Sequence, residues 1–541
     1  MSDLLATGTS ALLAFQRAIS TTSHNIANVE TEGYTRQRVN FETQSPERGG
    51  LDSALGGGVR VSGLERLGSD FAVARVHATA SAHTREAVHH ELASRLDGLF
   101  SADVLDPAGQ FSNLFTALED ASLDPSSATA RELVIAEGES VAERMRTLQG
   151  RLEATAREVD DRRSASTDRI NELAAGIADL NGRLVEHSAA GRNKLAADLL
   201  DRRDLLVGQL SAEVDAEAVV QDDGALNVSI GDGVPLVVGR DARTVRTVPD
   251  ATRPGRSDIE LGTGQSWQSV GARVHGGELG GLEAFESGTL EPAMQRLGRL
   301  AQAFAAQVNA VHANGERPDG APGGTWFSID GPSALAASAN AGTGGLSANV
   351  TDANALLATD YRLRFDGGAW EITRTSDGTR TTNATLPTTL DGLEITATGT
   401  PSAGDSFLVS ATRGAAGSLA STIASPDELA FAQPGAGLGG NENARDLAAL
   451  GTARFVDGAT VAEDIGAMAG TIGAQTSTLH TRSDALEAMR NDALERRDSI
   501  SGVNLDEEAV DLVRHEQAYQ AAAQVIRTAD ELFDTILGAI R

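Results

Sequence analysis

The sequence predicts an α+β chain of several domains, with paired terminal helices, a long helical-bundle body and an inserted β-rich domain. Three observations predict it. Proline is missing from residues 126 to 234 and from 435 to the end, whereas eight of the fourteen prolines (Pro235, Pro249, Pro254, Pro292, Pro318, Pro322, Pro332 and Pro387) fall between residues 235 and 387 in the centre. Long helices are therefore possible on both sides of a turn-rich middle. Apolar residues recur at helical spacing towards both ends, and period-two runs with Asp-Gly turn signals occupy the middle.

At the amino end Leu5, Leu12, Ile19 and Ile26 recur every seven residues, with Gly8, Phe15 and Thr22 at three-residue offsets, so small or polar residues interrupt an otherwise apolar side. At the other end Leu505, Leu512, Tyr519, Ile526, Phe533 and Ile540 repeat every seven; Ala509, Ala523 and Leu537 widen that stripe, and Glu516 and Asp530 interrupt it. This helix can pack on its own domain, form an intermolecular coiled coil, or pair antiparallel with the amino-terminal helix.

Residues 126 to 215 read as mainly helical. Val141, Met145, Leu148, Leu152, Ala156 and Val159 form one stripe and Ile170, Leu173, Ile177, Leu180 and Leu184 a second; Leu195 to Leu210 continue after a turn at Gly191. Leu226, Val228 and Ile230 alternate between Asp-Gly signals as a hairpin would, and helix returns near 289 to 312 behind Pro292. From about 320 to 440 the chain is rich in Gly, Ala and Thr. "YRLRFDGGAWEITR" (361–374) predicts two strands turning near Asp366 to Gly368, and "LEITATG" and "DSFLVSAT" add two more. Val461 to Leu479 and Leu486 to Leu494 restore a helical stripe.

The 541 residues carry 45 basic and 76 acidic side chains, a formal charge of -31, which disfavours nucleic acid and anionic lipid as partners and favours proteins. Without cysteine there is no disulfide, thiolate metal site or cysteine nucleophile. The amino terminus has neither the basic leader of a signal peptide nor an apolar membrane span, so export would use a route without a cleaved leader. No catalytic, cofactor or metal site is expected. "HEQAY" (515–519) has Tyr519 where a zinc-binding helix needs a second histidine, and "GAGLGG" (435–440) lacks the preceding strand of a dinucleotide cradle. Asp506, Glu507 and Glu508 read as caps of the last helix.

"NIANVETEGYTRQRV" (25–39) resembles the amino-terminal signature of the rod, hook and hook-associated axial proteins of the bacterial flagellum. "SGVNLDEEAVDLVRHEQAYQAAAQVIRTADELFDTIL" (501–537) narrows the resemblance to the hook-associated protein 1 family of hook-filament junction proteins. "LFTALEDASLDPSSATARELV" (114–134), "LLDRRDLLVGQLS" (199–211) and "GGELGGLEAFESGTL" (276–290) agree with it. Glu32 stands where the group commonly has proline, and His24 where it often has asparagine.

The resemblance implies a non-enzymatic subunit of a tube, secreted to the hook-filament junction. It implies an inner-tube helix at 1–30, a helical body with small β hairpins at 31–319, a β-rich outer insertion at 320–440, a helical return at 441–500 and an inner-tube helix at 501–541. Leu5, Leu12, Ile19, Ile26, Asn28, Gly33, Tyr34, Leu505, Leu512, Tyr519, Ile526 and Phe533 are then assembly-interface residues. The implied partners are further copies of the chain in a tubular layer, hook protein, a second junction protein, a flagellar export chaperone and, transiently, the filament cap. The alternatives are another rod or hook subunit, or a secreted adhesin that binds glycans through residues 320–440.

Overall fold

The computed structural model describes residues 2–44, 58–101, 107–189, 197–250 and 256–540. The expected turn at Gly191, with Leu195, lies outside the described residues, as do the side chains of Leu537 and Ile540. The chain opens with α1 (Ser2–Ala27) and a hairpin of β1 (Gln37–Thr43) and β2 (Val59–Arg66), whose antiparallel register slips at a bulge between Asn40 and Phe41. Four helices follow: α2 (Asp70–Ser101), α3 (Pro107–Leu123), α4 (Ala128–Ala189) and α5 (Ala197–Glu213).

Both stripes expected between 126 and 215 lie on α4, a single helix of 62 residues and so about 90 Å long at 1.5 Å per residue. With no proline in its path, nothing interrupts its hydrogen-bond ladder. Its first stripe, Val141 to Val159, enters the main helical core with Leu92 and Leu96 of α2 and Leu114 and Leu118 of α3. Its second, Ile170 and Ile177, packs with Val207 and Leu210 of α5 against strands.

Those strands exceed the single hairpin read from the sequence. β3 (Ala216–Val220), β4 (Leu226–Ile230), β5 (Val234–Val238) and β6 (Asp241–Ala242) form a meander, and β7 (Thr244–Pro249), β8 (Ser257–Thr263) and β9 (Ser266–Ser269) a second sheet. β6 and β9 are too short to show a period of two, and of the longer strands only β4, buried at Leu226, Val228 and Ile230, alternates cleanly. α6 (Gly277–Phe285), a π-helical turn at Glu286–Leu290 and α7 (Glu291–Asn314) return the chain to the helical core.

The central strands are β10 (Phe327–Ser328), β11 (Ser333–Ala336), β12 (Gly345–Val350), β13 (Asp360–Phe365), β14 (Trp370–Arg374), β15 (Arg380–Ala384), β16 (Thr388–Leu390), β17 (Leu393–Thr398) and β18 (Ser406–Ser410). A five-stranded sheet has the order β11-β18-β13-β14-β15, and β12-β17-β16 form a second. The turn at Asp366 to Gly368 pairs Phe365 with Trp370, as the sequence reading expects. These sheets enclose their own apolar core, from Ala348 to Ala411. The segments that enter and leave them do not: Trp326, Phe327, Leu419, Leu429 and Phe431 pack in the helical core.

After α8 (Ala415–Ser418), the short β19 (Ala420–Ser421) and α9 (Glu442–Ala449), α10 (Val461–Ser501) runs antiparallel to α2, with Gly473 beside Asp97 and His480 stacked on His90. Thr460 and Glu463 form a capping box at its start. Residues 502–504 then lead to α11 (Leu505–Ile540).

Candidate assembly site at the paired termini

α1 and α11 pack on each other antiparallel. A Cβ on Gly8 would lie 2.7 Å from Ile526 Cγ1; the Phe15 ring lies 6.4 Å from His515, and Asn25 bonds to Glu508. Gly8, Ala14, Ala18, Thr21, Thr22 and Asn25 are buried in α1, and Glu508, Ala522 and Ala529 in α11. Small residues at such positions let two backbones approach closely. Gly8 and Thr22, which look like gaps in an apolar stripe, thus belong to the most buried part of α1.

The interface residues named from the sequence divide into two sets. Leu5, Leu12, Ile19 and Ile26 of α1 and Leu512, Tyr519 and Ile526 of α11 are half-buried. Leu505 and Phe533, near the two ends of α11, are each 49% exposed. α11 has a second apolar face that the seven-residue spacing does not show: Val510, Val513, Val525, Leu532 and Ile536 are all exposed.

The segment after α1 is held by side chains rather than by a core. Asn25, 1% exposed, uses its whole amide: Nδ2 donates to Gln37 O and to Glu508 Oε2, both at 2.9 Å, while Oδ1 accepts from Tyr34 Oη at 2.7 Å and from Gln37 N at 3.1 Å. One side chain therefore ties α1, the turn, β1 and α11 together, and a buried amide with two donors and two acceptor sites filled has no unmet polar group. Burial, reinforced by Asp201, Asp198 and Glu508, raises the Tyr34 phenol, so it stays a proton donor to Asn25.

Asn28 acts locally. Its Nδ2 donates to His24 O at 2.9 Å, it accepts from Thr31 Oγ1 at 3.2 Å, and the His24 ring meets Tyr34 edge-on at 5.6 Å. Gly33 has φ +79°, where glycine is favoured, and a Cβ there would lie 3.3 Å from Leu205 Cβ of α5. Glu32, at the position commonly proline in the resembling group, is exposed.

Beyond the turn, Arg36 Nε meets Glu508 Oε1 at 2.6 Å and its NH1 meets Glu507 Oε2 at 2.7 Å, while Arg36 N donates to Ser501 O at 2.9 Å. Arg66 of β2 reaches Asp201 at 2.8 Å and Asp204 at 2.7 Å, and Asp201 also accepts from Thr35 N at 3.3 Å. Burial raises the Asp201 carboxyl against the pull of Arg66. The turn is thus bonded to the α10–α11 link on one side and to α5 on the other.

Glu508 departs from the capping role read from the sequence. Asn504 caps α11, its Oδ1 accepting from Asp506 N at 3.0 Å, and the Glu508 side chain, 2% exposed, points into the clasp. Arg36, Gln37, Arg66 and Asp201, and the inward bonding of Glu508, are the parts of the clasp that sequence reading missed. Only the proximity of an arginine to the signature hinted at them, because the acidic partners of Arg36 lie more than 470 residues away along the chain.

His515 packs between Phe15 and Phe41, 6.4 Å from each, and burial lowers its basicity. Tyr361 and Trp370, whose exposure a glycan-binding surface would use, are 1% and 5% exposed. Among the described residues no group of His, Cys, Asp and Glu is arranged to hold a metal, and no helix is long and apolar enough to cross a membrane.

Comparison with known proteins gives four family matches along the chain. Residues 5–35 match the flagella basal body rod protein family and 497–539 the flagellar basal body rod FlgEFG protein C-terminal family. Residues 93–327 match the flagellar hook-associated protein FlgK helical domain and 335–411 the flagellar hook-associated protein 1 D2-like domain. The flagellar hook-associated protein 1 of Escherichia coli (strain K12) is 33% identical over 545 residues, covering 99% of this chain and 100% of its own. That of Salmonella typhimurium is 32% identical over 551 residues and that of Bacillus subtilis (strain 168) 24% over 571, each across 99% of this chain and 100% and 98% of their own. The solved flagellar hook junction protein FlgK from Burkholderia pseudomallei has the same fold: TM-score 0.74 at 23% identity, covering 79% of this chain and all of the solved one.

Proposed function

The chain belongs to the flagellar hook-associated protein 1 family, and from that premise we propose that it is the extracellular structural subunit joining hook to filament at the hook-filament junction. The observation that carries the reading is a whole-length match to relatives of that name, at 33% identity over 99% of the chain. The terminal architecture supports it: a subunit that transmits load between its inner helices and its body needs those parts bonded, and Asn25, Arg36 and Glu508 bond them.

In this reading the α1–α11 pair lines the tube, the helical body forms the next layer and the sheets within the β-rich segment 320–440 lie outside, while the flanks of that segment, at Trp326, Phe327, Leu429 and Phe431, stay packed in the helical body. Leu5, Leu12, Ile19 and Ile26, Asn28, Gly33 and Tyr34, and Leu505, Leu512, Tyr519, Ile526 and Phe533 serve the inner layer, partly by holding the pair together and partly, at Leu505 and Phe533, by meeting neighbouring copies. A tube requires heterologous contacts between copies. Hook protein and a second junction protein flank the layer, and the filament cap meets it transiently. The exposed apolar face of α11 is an association hazard before assembly, which favours cover by an export chaperone.

A secretion-competent strain lacking the gene makes hooks and fails to retain filaments; normal filament retention overturns the assignment. Immunogold labelling at the distal end of the hook separates it from a hook or rod subunit, which would label along the whole structure.

A further inference from the structure

The β-rich region leaves and re-enters the helical body through two crossings that lie side by side, residues 323–328 outward and 429–432 inward. Two side chains one turn apart on α7 hold them. Asn309 Nδ2 donates to Phe327 O at 2.7 Å, and its Oδ1 accepts from Trp326 N and Phe327 N, both at 2.8 Å. His312, 1% exposed, places Nδ1 2.7 Å from Gly324 O and Nε2 3.0 Å from Ala430 N. His312 is the side chain of the two that bonds both crossings.

Its partners decide its protonation. A carbonyl only accepts and a backbone N–H only donates, so Nδ1 carries the proton and Nε2 is bare. A second proton on Nε2 would oppose two donors at 3.0 Å and break the inward bond. Burial disfavours that proton and Arg317, on the loop after α7, disfavours it further, while the Gly324 carbonyl and, more weakly, the Glu428 carbonyl oppose both, leaving the ring less basic than an ordinary histidine. The other charged groups around this root are Arg131 of α4, Glu316 beside Arg317, and Asp427 and Glu428 before the inward crossing. Arg131 donates to Pro426 O at 2.9 Å and Leu429 O at 2.8 Å and lies 4.5 Å over the Phe431 ring. Asn443 of α9 donates to Ala430 O at 2.6 Å. Arg131 and Asn443 meet carbonyls of the inward chain; Glu316 accepts from Gly435 N and Glu428 from Ala424 N, both at 2.8 Å and both outside residues 429–432, so among these groups His312 is the titratable acceptor that meets an N–H of the crossings themselves.

The geometry points to an acid-released latch: neutral His312 locks both crossings of the β-rich region to α7, and its protonation frees the inward crossing, loosening that region from the helical body. If the opened state binds a proton at the ordinary histidine value and the closed state does not, the opening constant rises about tenfold per pH unit below about 6.5. The rise stops once the closed state itself takes the proton.

Hydrogen exchange by mass spectrometry on the full chain from pH 7.5 to 4.5, corrected for the intrinsic pH dependence of exchange, tests this. Peptides spanning the inward crossing, 429–432, lose protection below pH 6.5 at that slope, while 323–328, held by Asn309, and β13 and β18 peptides change less. His312→Gln, which keeps a donor and an acceptor but does not titrate, abolishes the slope. An unchanged slope in His312→Gln, or flat protection in the wild-type inward crossing, overturns the proposal. Nitrogen-15 spectra of histidine-labelled wild-type protein give a second readout that needs no variant: a protonated Nδ1 with bare Nε2 at pH 7.5 supports the latch, and the opposite tautomer overturns it.

Discussion

Asn25→Ala is the most informative single perturbation of the terminal clasp. It removes four hydrogen bonds, leaving Gln37 N and O, the Tyr34 hydroxyl and Glu508 Oε2 each short of a partner in a site where Asn25 is 1% exposed. Bonds between neutral groups contribute about 1 kcal/mol each and one to a carboxylate about 2 kcal/mol, a sum of about 5 kcal/mol. Glu508 keeps Arg36 at 2.6 Å, and water can enter the space left by the amide, so the expected loss is about 4 kcal/mol, roughly a 700-fold change in opening at 1.4 kcal/mol per factor of ten. Hydrogen exchange at residues 37–41 and 508–515 of the full chain reads this locally, without assuming that the multidomain chain unfolds in one step. Asn25→Asp keeps the shape but sets a carboxylate where Nδ2 now meets Glu508, and loses as much at neutral pH; adding Glu508→Gln restores a donor–acceptor pair and part of the protection. A less than fivefold change in Asn25→Ala would refute the reasoning, because the clasp would then be a crossing of chains and not a bonded joint.

Three further outcomes follow from close approaches and burial. Gly8→Leu drives a side chain into Ile526, whose Cγ1 lies 2.7 Å from the position of a Cβ; the variant should shed filaments when retained filaments are counted, and adding Ile526→Ala should restore retention. Gly298→Ala places a Cβ on the Thr412 carbonyl oxygen, so α7 and the end of the central sheet must separate, at a cost of about 3 kcal/mol by overpacking; hydrogen exchange at residues 294–302 and 406–412 of the full chain measures it. His89, its Nε2 bonded to Thr289, is pushed down to about 4 by burial, Arg85 and Arg482. The unfolded chain takes up that proton first, so this contribution is complete above about pH 6.5 and falls away as pH drops towards 4, by about 2 kcal/mol after allowance for partial solvent screening; the difference in urea midpoint between wild type and His89→Gln should shrink over that window.

Much of the fold is legible because it rests on local signals. The proline-free stretch makes α4 possible, its two apolar stripes identify the faces it buries, and "YRLRFDGGAWEITR" carries alternation and turn chemistry together. The strands between 216 and 269 are less legible: β6 and β9 have two and four residues, too few for a period to appear, and they are stable only as neighbours in sheets backed by α4 and α5. The segments around Trp326 and Phe431 look like part of the glycine-rich middle, yet tertiary packing assigns them to the helical core. At the clasp, Asn25, Asn28, Gly33 and Tyr34 stand out as residues unsuited to an ordinary helix exit. Glu508 does not, since a carboxylate in the first turn of a helix already has a sufficient local explanation.

By itself the sequence determined that both ends are seven-residue-patterned helices, that a helical body surrounds a β-rich insertion, and, through its terminal motifs, the family. Such patterns depend on residues a few positions apart, where backbone geometry alone relates them. Only the tertiary structure decided that Gly8 and Thr22 are buried in α1, that Glu508 closes on Asn25 and Arg36, and that His312 bonds both crossings of the β-rich region. Each of those joins groups up to 483 residues apart, and no periodicity carries information over such a distance; it is set by the packing of whole elements.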